Sequence, residues 1–201
     1  MSEAAPRRGR PRSATAEVAV LEATYRLLAA QGLGATSIDA IARESRVSKM
    51  TIYKWWPRRE ALLVDAFLRQ AGLLLPFQAE GEPLAVMRAH AAAYATALAG
   101  EFGRVQLAVI SECISSTGSA AEFAERYLWV RRDLGIDIIR AGQDGNGIRA
   151  DTPAAELYDR VYGTLFYQST FGLHAMTPAH ANWLVTSLLA EVSAAPRRSA
   201  G

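Results

Sequence analysis

At 201 residues, half of them hydrophobic and 21% charged, the chain is long enough to bury a sizeable core and too apolar to be disordered along its length. Its formal charge of +2 conceals a division: residues 1–60 hold eleven Lys and Arg against six Asp and Glu, whereas residues 61–201 hold eleven against fourteen. Only the first part is suited to meeting a polyanion. A single cysteine, Cys113, excludes an intramolecular disulfide framework and fits a reducing cytoplasm. The basic N-terminus leads into a stretch interrupted by Glu17, Glu22 and Arg26, so no signal peptide is expected.

Apolar residues recur at three and four throughout, and no stretch alternates with period two, so an all-α fold is expected. Residues 1–13 are expected to form a flexible basic arm, followed by a small domain over 14–60 and a larger one over 61–201. The first helix should run from Ala14 to Gln31 and stop at Gly32, a residue able to turn left-handed. Thr36 and Asp39 resemble a capping box at the start of a second helix ending near Ser45. Ser48 is a good N-cap for a third, and so tight a connection makes a helix-turn-helix. Beyond Pro57, further helices are expected over 58–75, 83–99, 101–115, 119–143, 153–175 and 178–194, about nine in all.

The stretch "VSKMTIYKWWPRREAL" carries the most chemistry. With Ile52 at the centre of a buried face and about 100° per residue, Trp56 falls inward and Trp55 at the margin, while Met50, Tyr53 and Lys54 lie on the far side, flanked by Lys49 and Thr51. Lysine can neutralise phosphates or donate to guanine, Thr and Tyr hydroxyls can donate to phosphate oxygens, and Met50 can pack on a thymine methyl. The competing reading of the same spacing is a helical pair that packs only on protein.

From Val20 to Leu63 the sequence resembles the DNA-binding domain of the TetR/AcrR family of transcriptional regulators, through a helix ending in "QG", then "ATSIDAIA", then "VSKMTIYKWWPRREAL". The resemblance implies that Lys49, Met50, Thr51 and Lys54 read bases. It implies that Tyr53, Trp55 and Arg59 grip phosphates, and that Thr36, Ser37 and Ser48 start helices facing the DNA backbone. Arg46 stands where the family usually has glycine, which costs about 1 kcal/mol if that residue is left-handed. Arg59 replaces a common lysine. In "RRGRPR", Arg10 is the arginine of a Gly-Arg-Pro core, followed by Arg12, and that core is similar to motifs that lie in the minor groove of A·T-rich DNA, although a plain basic tail has the same composition.

From Val161 to Ala190 there is no Asp, Glu, Lys or Arg. Pro178, His180, Asn182 and scattered Ser, Thr and Gln break any membrane span, so burial on two faces is expected: the last two helices pack on their own domain and on a second copy. Phe166, Phe171, Trp183, Leu184 and Leu188 are the candidates for that four-helix interface, with Gly163 and Gly172 permitting close approach. Met87, His90, Tyr94, Ile110, Cys113, Phe123 and Tyr127 could line a ligand cavity or an ordinary core. His90 reads as a hydrogen-bonded histidine, no residue set has metal-ligand spacing, and no cofactor is expected. No nucleophile elbow, phosphate loop or paired carboxylates suggest an enzyme. The whole implies a cytoplasmic, nucleoid-associated homodimer on a palindromic double-stranded DNA operator, a repressor released by a small-molecule effector. The alternative is a ligand-independent DNA-binding or protein-docking regulator.

Overall fold

The computed structural model describes residues 14–77 and 80–190, and within them the regular structure is helical. The first helix, α1, spans Ala14–Ala35 with a break at Gly32, whose φ of 74° and ψ of −177° no helix tolerates. This is the glycine at which the sequence pattern ends. The second, α2 (Ile38–Ser45), is capped by Ser37, whose hydroxyl accepts from the Ala40 amide. The expected capping box on Thr36 is therefore displaced by one residue: Thr36 is buried and its hydroxyl donates to the Gly32 carbonyl at 2.8 Å, closing the kinked end of α1. Arg46 caps α2 in the left-handed conformation, φ 58°.

The third helix, α3 (Lys49–Trp55), packs its Ile52 against Val20, Ile41, Trp56 and Leu62 in a small core shared by α1, α2 and α4 (Arg59–Leu74). A second, larger core begins on the other sides of α1 and α4, at Tyr25, Leu28, Leu63 and Phe67. It runs through α5 (Pro83–Leu98), α6 (Glu101–Thr117), α8 (Trp129–Asp144), α9 (Ala154–Thr170) and α10 (Pro178–Leu189). Helices α1 and α4 thus belong to both cores, so a displacement of the large body is felt by the small one.

The segment expected as one helix over 119–143 is α7 (Ala121–Phe123), a π-helical turn (Ala124–Leu128) and α8 in unbroken succession. Such turns insert a residue into a helix and often accompany functional sites. Helix α9 stops at Thr170, short of the expected Ala175, because the chain turns left-handed at Gly172. Helices α8 and α9 approach closely at Gly135, where a Cβ would meet the Tyr158 ring at 2.2 Å. Among the described residues no helix is long and apolar enough to cross a membrane.

Candidate nucleic-acid interface and cavity

The N-terminus of α3 is set by Ser48, whose Oγ accepts from the Thr51 amide at 3.2 Å and meets the Thr51 hydroxyl at 2.9 Å. Ile52 anchors the helix, fully buried, and Trp56 closes the small core behind it. On the opposite side Met50 is 86% exposed and Tyr53 54%, with Lys49 and Lys54 exposed and Thr51 and Trp55 half-buried. Trp55 stands edge-on to Trp56, ring centroids 5.7 Å apart. Lys49 pairs with Asp39 of α2, and that bond raises its pKa, so the lysine keeps its charge while bracing α3 against α2.

Two residues sit differently from their expected positions. Thr36 is buried, so its hydroxyl serves the fold and cannot reach a phosphate from there. Arg59 is turned inward: Nη2 donates to the carbonyls of Leu33 (2.7 Å) and Thr36 (3.2 Å), and Nη1 pairs with Glu112 of α6 at 2.6 Å. Its fork is committed to protein partners. Ser37 is exposed at the start of α2, beside α3. Arg10 and Arg12 lie outside the described residues.

A cavity of about 260 Å³ opens inside the large body. Five of the expected residues line it: His90, Tyr94, Ile110, Phe123 and Tyr127. Met87 and Cys113 do not; both are core residues without access to the space, and burial raises the Cys113 pKa, which keeps the thiol inert. Sequence spacing missed Gln106, Arg131, Arg132, Tyr158, Asp159 and Tyr162, and assigned Phe166 to a dimer interface although it faces the cavity. The lining is aromatic with few charges. Arg132 and Asp159 form a bidentate pair at 2.8 Å for both bonds, whereas Arg131 lies over the rings of Phe77 and Tyr127 and bonds to the Leu75 carbonyl and to His90 Nε2. His90 stacks on Phe77, and burial, reinforced by Arg131, lowers its pKa to about 3. Burial likewise raises the phenols of Tyr94, Tyr158 and Tyr162, so all three stay protonated.

The cavity wall is tied to the α3–α4 connection. Phe123 and Tyr127 line the space from the π-helical region, while Glu122 and Arg126 on the same segment reach the small core. Glu122 accepts from Arg58 at 2.9 Å, and Arg126 pairs with Asp65, which in turn accepts from the Trp56 indole at 2.6 Å. A second tie runs through α6, where Gln106 and Ile110 face the cavity and Glu112 holds Arg59. These partners are half-buried or better on the carboxylate side, where pairing outweighs what an exposed surface pair contributes.

At the other end, Tyr167 on α9, Phe171 (66% exposed) and Leu173 just beyond its C-terminus, and Trp183 (63%) on α10 are exposed apolar and aromatic side chains. Leu184 is buried in its own core and Leu188 packs against that core, so these two do not belong to the exposed surface. A further exposed apolar group, Leu128, Trp129, Val130 and Leu134, had no sequence signal because it begins at the π-helical turn, where helical spacing shifts by one.

Residues 20–66 match the model for bacterial regulatory proteins of the tetR family, and residues 80–188 match that for the tetracyclin repressor-like C-terminal domain. The chain belongs to the TetR family. It is 32% identical over 162 residues to the uncharacterized HTH-type transcriptional regulator YdeS of Bacillus subtilis, covering 81% of this chain and 82% of that one. Among solved structures it resembles the TetR family transcription regulator SCO0332, with 27% identity, a TM-score of 0.72 and coverage of 86% and 96%. The fold is shared with AibR, whose crystal structure contains isovaleryl coenzyme A and operator DNA, at 18% identity, a TM-score of 0.61 and coverage of 86% and 97%. As a TetR-family chain the protein is a DNA-binding transcriptional regulator, not an enzyme.

Proposed function

We propose that this TetR-family regulator acts in the cytoplasm, on the nucleoid, as a homodimeric repressor released from a palindromic operator by a small molecule bound in the cavity. The observation that carries the reading is the set of ties from the cavity wall to both ends of the α3–α4 connection: Arg126 reaches Trp56 at the α3 end through Asp65, and Glu122 and Glu112 hold Arg58 and Arg59 at the α4 end. A guest that displaces Phe123, Tyr127 or Ile110 moves the groups that hold Arg58, Arg59 and, through Asp65, Trp56. The division into a reading domain over 14–60 and an effector and dimerisation domain over 61–201 follows, with α1 and α4 as the shared levers. AibR, of the same fold, binds both a ligand and operator DNA, which supports the same pairing of functions here.

In this reading Lys49, Met50, Thr51 and Lys54 meet base edges, while Tyr53, Trp55 and the capped N-termini at Ser37 and Ser48 meet phosphates. The apolar surface of Phe171 and Trp183 is where the second copy packs, with Tyr167 and Leu173 beside them. Two-fold pairing places two α3 helices in successive major grooves, about 34–36 Å apart. The ligand need prefer the released state by only about 1–3 kcal/mol to change operator affinity roughly 5- to 150-fold. Selection of a binding site from random-sequence DNA, followed by anisotropy titration at two salt concentrations, tests the reading: a near-palindrome bound with strong salt dependence is expected, and sequence-indifferent or salt-insensitive binding contradicts it.

A further inference from the structure

The aromatic walls of the cavity suit two opposite guests. Rings of Tyr94, Tyr127, Tyr158 and Tyr162 facing one space resemble a cage for an organic cation, and the same rings accept a flat neutral or anionic body. The hydrogen-bond directions decide between them. Arg131 can only donate, so His90 Nε2, 2.8 Å from it, is the accepting nitrogen. The neutral ring then carries its proton on Nδ1 and donates it to Tyr162 Oη at 2.6 Å. Tyr162 is left with a hydroxyl proton for which the described residues supply no acceptor. Arg131 itself has no carboxylate partner among the described residues, while the neighbouring Arg132 is satisfied by Asp159. The lining therefore offers an uncompensated guanidinium and a free phenol donor side by side. Gln106 adds a third group: only 1% exposed, it bonds to the Tyr94 hydroxyl at one end of its amide (3.2 Å), and its Oε1 has no partner. Turning the amide over exchanges the two ends and still leaves one for a guest.

We propose that the cavity takes a small aromatic carboxylate bearing a second polar group such as a hydroxyl, with the carboxylate on Arg131 and Tyr162 and the hydroxyl on Gln106. This rests on the reading of the cavity as the effector site, and it assigns that effector a charge and a shape. A cation is disfavoured because, among the described residues, the one unpaired charge lining the space is positive. A neutral body fills the walls and leaves the guanidinium without a counter-charge. The volume of about 260 Å³ suits one or two fused rings, being near the lower end of small-molecule sites, roughly 300–1,000 Å³.

Calorimetric titration of the full-length protein with naphthoate, hydroxynaphthoate, naphthamide and trimethyl(naphthyl)ammonium tests this. Naphthoate is expected to bind at least about tenfold more tightly than naphthamide, with the ammonium weakest. Arg131→Gln should erase the advantage of the acid while leaving the amide within about twofold, and Arg131→Lys, which keeps the charge but loses the planar fork, should retain part of it. Tyr162→Phe should weaken the acid by about tenfold, and Gln106→Leu should reduce hydroxynaphthoate to the level of naphthoate. If Arg131→Gln fails to fold, Arg131→Lys and Tyr162→Phe carry the test. Equal or tighter binding of the amide or the ammonium overturns the assignment, as does a panel in which nothing binds. Binding with the expected preference but no change in operator affinity leaves the ligand class standing and removes the effector role instead.

Discussion

The two ends of the protein use polar groups in opposite ways. On α3, Met50, Tyr53 and Lys54 are exposed around one buried anchor, Ile52, and their arrangement follows from spacing along seven residues. In the cavity, Arg131, His90, Tyr162 and Gln106 are held inside by partners from four helices, α5, α6, α8 and α9. An exposed reading surface tolerates loss of one contact because water replaces it; a buried polar chain does not. Substitutions should therefore act locally and additively on α3 and collectively in the cavity.

The largest effect is expected at the surface proposed to join two copies. Trp183→Glu combined with Phe171→Glu should convert the protein to a monomer in light scattering while its helical circular dichroism persists. Operator affinity should fall by at least about 100-fold, since a single helix-turn-helix binds without the avidity of a pair. An unchanged dimer would move the interface to the other exposed apolar group, around Trp129. Next come the residues proposed to read bases: Thr51→Ala or Lys54→Ala should each cost about 1–3 kcal/mol of operator binding, measured by anisotropy. Arg59→Ala should instead lower the melting temperature, because its guanidinium bonds Leu33, Thr36 and Glu112.

The pH dependence sharpens the contrast. His90 has a folded pKa of about 3 against an ordinary value of 6.5, so above that ordinary value its burial exerts no penalty. As pH falls below 6.5 the unfolded chain takes up the proton first, and stability is lost at up to about 1.4 kcal/mol per pH unit. Denaturant melts between pH 7 and pH 5 should show that slope in the wild type and a flatter one in His90→Asn. The smallest expected effect is a gain. Arg46→Gly should stabilise the protein by up to about 1 kcal/mol, because only glycine is relaxed at φ 58°. An unchanged melting temperature would mean that arginine contributes something there beyond its backbone.

How much of this was readable in the sequence follows the same division. The stop at Gly32, the cap at Ser48 and the inward turn of Ile52 and Trp56 depend on residues within a few positions of each other, and spacing suffices to find them. Even there the cap of α2 fell on Ser37 and not Thr36, because two neighbouring hydroxyls compete and tertiary burial chose between them. The family resemblance implies a phosphate contact for Arg59, and local spacing gives no sign of its partner Glu112, 53 residues away. Arg131 and Gln106 were overlooked for the same reason: charged and amide side chains on amphipathic helices usually face water, and only the packing of α8 and α6 against α5 and α9 brings these two into the cavity. Tyr94, Phe123 and Tyr127 are expected inside in any case, whereas Tyr158, Tyr162 and Phe166 lie on the helix expected to pack against a second copy, and the cavity takes them instead.

The side of α3 opposite Ile52 is proposed to meet DNA, in duplicate. Hydroxyl-radical footprinting of the wild type on its selected site tests it most directly, with Thr51→Ala and Lys54→Ala in parallel. Two protected patches one helical turn or a whole number of turns apart, both fading in the variants, are the predicted result. Protection that is continuous along the duplex, or that survives both substitutions unchanged, would contradict it.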